Sequence, residues 1–112
     1  MVREAKVDIL GTEYTVVVGS ELPKNGYDGL CYTYDKVIHI AEDSEEVLTL
    51  EGKRRVLEEI ICHEISHAFL FESGYAANSD EESLVVWLSR YVRKIDNCVI
   101  EVLDKLEEFD KL

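Results

Sequence analysis

Ile60-Ile61-Cys62-His63-Glu64-Ile65-Ser66-His67-Ala68-Phe69 holds two of the chain's three histidines, four residues apart, with a glutamate after the first. The pattern is H-E-x-x-H. On an α-helix, positions i and i+4 lie one above the other, so His63 and His67 can offer an imidazole nitrogen each to one metal ion. Zinc takes such nitrogens at about 2.0–2.1 Å in a tetrahedral set and, in catalytic sites, keeps one position for water. Glu64, next to the first histidine, is then placed to act on that water as general base. The chain's own His and Glu frequencies give about one accidental match in a hundred such chains, so the motif needs a helix around it to carry meaning.

The flanking residues supply one. Leu57, Ile60, Ile61, Ala68 and Phe71 follow the i, i+3, i+4 spacing of an amphipathic helix. Glu64 falls within the apolar stripe and the histidines on its flank. A carboxylate facing a core is costly unless something charged or hydrogen-bonding meets it. Thr49 is a candidate N-cap and Gly74, after Glu72-Ser73, a C-terminal stop, which bounds this helix at Leu50 to Ser73. A short turn over Tyr75 to Asn78 follows. Ser79-Asp80-Glu81-Glu82 reads as an S-x-x-E capping box opening a long helix, with apolar residues running from Leu84 to Leu106.

Upstream the periodicity changes to two. Residues 5–19 hold two β-rich runs broken at Gly11-Thr12-Glu13, with Tyr14, Val16 and Val18 on one face, which predicts a hairpin. Ser20 to Gly29 is loop chemistry, with Pro23, Asn25, Gly26, Asp28 and Gly29. Leu30 to Thr33 and Val37 to Ile40 form a second pair joined near Tyr34-Asp35-Lys36, and Glu42 to Glu46 is an acidic connector. The expectation is one α+β domain over residues 1–112. In it a small antiparallel sheet of three to four strands packs against the H-E-x-x-H helix and a long C-terminal helix.

At 112 residues the chain can bury one core and not two. A formal net charge of −12 argues against nucleic acid and anionic membrane surfaces as partners. Cys31, Cys62 and Cys98 are an odd set without C-x-x-C spacing, which indicates reduced thiols in place of a disulfide framework. Cys62 precedes His63 but points about 100° away on the helix, as a small hydrophobe would. With no signal segment and no long apolar run, the expected location is the cytoplasm.

Two histidines and a water leave zinc one protein ligand short. No histidine follows His67, and Leu70 stands where the extended H-E-x-x-H-x-x-G-x-x-H pattern has its glycine. A carboxylate from the next helix is the natural replacement, either Glu81, nearer the apolar stripe, or Glu82, on the face of the small Ser89.

With these residues the chain resembles the small HExxH zinc metallopeptidases of the gluzincin type. In particular it resembles the short ImmA/IrrE-like proteins common in bacteriophages and prophages. The likeness rests on His63 to Phe69, on the Glu-rich start of the next helix with Leu84-Val85 and Leu88-Ser89, and on Tyr27-Asp28-Gly29-Leu30 before the Val37 to Ile40 strand. It implies a zincin-like α+β fold in a bacterial or phage-infected cell, with an edge strand that pairs an extended peptide. It also implies His63 and His67 as zinc ligands, Glu64 as catalytic base and Glu82, marginally ahead of Glu81, as third ligand. The expected activity is hydrolysis of peptide bonds in a protein or peptide substrate. In this reading the peptide lies along Val37 to Ile40, and Tyr75, Tyr91 and His39 are candidates to stabilise the oxyanion. The alternative is a non-catalytic, zinc-stabilised interaction module closed by a fourth ligand such as Cys62 or Asp80. A third is a metal-free helical domain.

Overall fold

The computed structural model describes residues 2–19, 28–41, 48–75 and 81–110. The expected loop at 20–27, the acidic connector at 42–46, the turn residues 76–78, the box residues Ser79 and Asp80, and Tyr27 lie outside them. In chain order the elements are β1 (Arg3–Ile9), β2 (Thr12–Val18), β3 (Gly29–Tyr32), β4 (Val37–Ile40), α1 (Leu50–Glu72) and α2 (Glu82–Asp110).

β1 and β2 form the predicted hairpin, with Val7 opposite Tyr14 and Ile9 opposite Thr12. Its turn comes one residue earlier than the sequence break suggests. Leu10 and Gly11 take φ of 53° and 89°, so both central residues are left-handed, as a two-residue loop matched to strand twist requires. Asp8 Oδ2 accepts the Gly11 N–H at 3.2 Å, offsetting part of the cost of a leucine in that region.

The sheet is mixed, and this corrects the antiparallel expectation. Its order is β1-β2-β4-β3, with β2 and β4 parallel and the other pairs antiparallel. Instead of adding strands consecutively, the chain leaves β2, makes β3 at the far edge and turns back so that β4 fills the gap. Burial explains the choice. Ile38 and Ile40 on β4 are fully buried, opposite Val16 and Val18 of β2, whereas the four residues of β3 are only half-buried. The most apolar strand takes the centre and the short glycine-led strand takes the edge.

One face of the sheet carries Ile9, Tyr14, Val16, Ile38 and Ile40, and α1 lays Leu57, Ile60, Ile61, Ile65 and the fully buried Ala68 across it. α1 starts at Leu50 as expected and ends at Glu72, one residue short of the expected Ser73, which is its C-cap. Thr49 Oγ1 accepts the Gly52 N–H at 3.0 Å, and Gly74 reverses the chain at φ 93° while Tyr75 N–H returns to the Leu70 carbonyl at 2.9 Å. The end of α1 is also fastened to the sheet. Tyr14 Oη donates to Glu72 Oε2 at 2.8 Å, and Lys36 Nζ reaches the same oxygen at 2.7 Å.

α2 packs its first turns on α1 through the buried Val85 and Ser89 and then continues away from the sheet. The resulting radius of gyration, 16.5 Å, exceeds the roughly 13 Å of a compact domain of this length. Among the described residues no helix is long and apolar enough to cross a membrane.

Candidate metal centre

Helical spacing alone puts His63 and His67 on one face of α1, and their ring centroids stand 5.0 Å apart. The third group comes from the start of α2. Glu82 Oε2 lies 3.1 Å from His63 Nε2, and its Oε1 lies 3.0 Å from His67 Nε2. One donor atom from each of the three residues falls within 4.8 Å of the others. The two contacts end on different carboxylate oxygens and have hydrogen-bond length; ligand atoms on one zinc stand about 3.3 Å apart, so the group admits a small ion. Two imidazole nitrogens and a carboxylate oxygen are also the donor types that zinc accepts in an open site.

Of the two glutamates weighed for this place, the structure brings only Glu82 to the histidines. Val85 N–H donates to the Glu81 carbonyl, which makes Glu81 the residue before the first helical turn. Its exposed carboxylate accepts a hydrogen bond from Ser83 Oγ. Glu82 is therefore the first residue of the helix and not the fourth position of a capping box. Its carboxylate turns to the histidines, and does not fold back on the helix start. Ser89, one face further on, is buried, and its small side chain, donating to the Val86 carbonyl, lets the two helices approach closely.

Glu64 lies on the sheet side of α1 and is only 6% exposed. Burial pushes its carboxyl up to about 7, and the charge of Glu82 adds to the shift. Burial likewise lowers His63, against the pull of Glu82. The closeness of β3 has a single cause. Gly29 has no side chain, and a Cβ built there would sit 2.9 Å from Glu64 Cγ, 2.9 Å from Ile60 Cγ2 and 3.0 Å from Glu64 Oε2. Cys31, two residues on, has its thiol pushed up to about 12 by burial, with the Glu64 charge adding to it. Its pairing with Ile38 and its packing against the core mark it as a small hydrophobe.

Together these residues wall a cleft of about 590 Å³ between β3 and α1, with Asp28, Gly29, Leu30 and Cys31 on the strand side. Val56, Glu59, Ile60, His63, Glu64 and His67 line the helix side, and Glu82 stands at one end. Four carboxylates and no lysine or arginine stand among the described lining residues. Gly29 is the positioning residue that the sequence alone assigned to a loop. Its signal was its place directly before a strand, where close backbone approach is a usual reason for glycine.

Several expected residues fall elsewhere. β4 lies between β2 and β3, so Val37 to Ile40 has both edges paired, and among the described residues the unpaired edge beside the cleft belongs to β3. His39 sits on the sheet face opposite Ile38 and Ile40, with its ring edge-on to Tyr32 at 5.5 Å. Tyr75 is exposed beyond α1, and Tyr91 stacks on Trp87 along α2. None of the three is among the described residues lining the cleft. Cys62 faces a second groove, between α1 and α2, and its carbonyl accepts Ser66 Oγ at 2.7 Å. No protein-family model, curated protein or solved structure matches the chain.

Proposed function

We propose that this chain is a small zinc-dependent peptidase, similar to the short ImmA/IrrE-like HExxH enzymes, with His63, His67 and Glu82 holding the ion and Glu64 moving the proton. The observation that carries the reading is one of position. Three donor atoms of the right kind converge at the end of a cleft whose wall holds a buried carboxyl one residue from the first histidine. Bound there, zinc supplies Lewis acidity, which polarises a carbonyl and acidifies water.

The remaining work belongs to the chain. The Glu64 carboxylate takes a proton from the attacking water and returns it to the leaving amine nitrogen, and its burial keeps competing bulk water away from that exchange. β3 offers its outer edge to an extended peptide, whose main-chain groups pair with it while one side chain enters the space between Leu30, Val56 and Ile60. Gly29 keeps that strand close enough for the scissile bond to reach both Glu64 and the ion.

Elemental analysis of the purified protein together with turnover of a quenched fluorogenic peptide library tests the reading. The expected result is one zinc per chain. Glu64→Gln keeps the zinc and loses turnover by about 10²–10⁴-fold, the usual contribution of a positioned base. Full activity in Glu64→Gln removes Glu64 from the chemistry, and a protein that takes up no zinc when it is supplied removes the site.

A further inference from the structure

From Val92 to Leu106 α2 carries an apolar stripe that nothing among the described residues covers, and the half-buried Leu88 continues it toward α1. Leu88, Val92, Ile95, Val99, Val102 and Leu106 recur at alternating steps of four and three, a 3.5-residue repeat. An isolated amphipathic helix follows 3.6, whereas a repeat held at 3.5 keeps one seam facing a partner helix. On the helix wheel this seam lies about 100° from the side that meets α1, so α1 does not occupy it. The five residues from Val92 onward are 42–55% exposed, an inversion of where valine, isoleucine and leucine usually lie.

We propose that the seam is the interface of a homodimer, in which α2 of a second copy lies antiparallel along it. Charge sets the direction. Arg90 and Arg93 are paired with Glu59 and Glu58 of α1, at 3.8 and 3.2 Å, and Lys105 with Glu101 at 3.1 Å. That leaves Lys94 balanced by Asp96 in the first half and Asp104, Glu107 and Glu108 uncompensated in the second, so parallel pairing sets the acidic ends side by side and antiparallel pairing sets each against a neutral stretch. The register follows from the seam itself. With the two-fold axis near Asn97, Leu88 meets Leu106 of the second copy, Val92 meets Val102 and Ile95 meets Val99, giving six layers with no polar residue. The area is adequate as well. With Tyr91 and Leu103 alongside, complete burial of the seam would remove at most roughly 1,200 Å² in the pair, at the lower end of the ~1,200–2,000 Å² of specific interfaces.

Light scattering on the whole chain at tens of micromolar should return twice 12.8 kDa. Ile95→Glu with Val99→Glu presses carboxylates into the seam and weakens self-association by about tenfold or more, with the far-ultraviolet dichroism of the monomer retained. Glu101→Lys with Asp104→Lys, on the polar face where folding is unaffected, reads the direction. It leaves the antiparallel dimer within about twofold at low salt, whereas it relieves the repulsion in a parallel one and would tighten it. A wild-type mass of one chain, an association indifferent to the seam carboxylates, or a tighter dimer after the charge reversal overturns the proposal.

Discussion

The two halves of α2 break the ordinary rule of burial in opposite senses. In the first half, and in the α1 segment it packs on, polar groups are drawn inward. Glu64 is almost wholly buried and Ser89 is buried, while the exposed Glu82 at the helix start turns its carboxylate to two imidazoles. From Val92 onward, aliphatic side chains stand out in water. A buried carboxyl is tolerated only where something compensates it, and an exposed apolar seam only where something covers it part of the time. The inward half is therefore read as a site and the outward half as an interface, although one continuous helix contributes to both.

The largest separation of the two halves is expected from the ligand set. On the proposed ligand set, Glu82→Ala should abolish zinc uptake and Glu81→Ala should leave it intact, with dimer mass unchanged in both; metal content by mass spectrometry and light scattering decide this. Equal zinc loss from both variants would erase the distinction between neighbouring glutamates.

A smaller effect is expected on the strand side. The Cβ of Gly29→Ala has to displace Glu64 or Ile60, at about 1–3 kcal/mol by the usual cost of overpacking, and peptide turnover should fall with it. Denaturant midpoints and turnover measured on one preparation test this, and dimerisation should again be untouched.

The smallest effect is one of pH, at the end of α1 away from the seam. Hydrogen bonds from Lys36 and Tyr14 hold the Glu72 carboxyl below its ordinary 4.5. A depressed carboxylate contributes stability that is complete above about pH 4.5 and is lost as pH falls through its lower folded value. Thermal unfolding followed downward from pH 5 should therefore show a decline that Glu72→Gln flattens. A wild-type curve matched by Glu72→Gln throughout would show that the contact does not couple to folding.

Much of the cleft could be read before any coordinates. Two histidines and a glutamate within five residues of one helix are local, and 3.6-residue geometry fixes their relative placement whatever surrounds them. The bounds of α1 were legible for the same reason, since Thr49 and Gly74 act through hydrogen bonds only a few residues long. The choice between Glu81 and Glu82 was not. Adjacent helical positions differ by about 100°, and which one meets α1 depends on where α2 begins, a matter of one residue.

What the sequence by itself determined is thus the set of elements and the placement of His63, Glu64 and His67 on one helix, because both are written in periods of two and 3.6 residues. Only the tertiary structure decided that β4 enters beside β2 in parallel and leaves β3 as the free edge, that Gly29 brings this edge against Glu64, and that Glu82 closes the group. Each of these depends on the packing of segments far apart in the chain. Competition among apolar strands for the centre of the sheet, and the approach that small residues permit, select one arrangement from several that the local pattern allows equally.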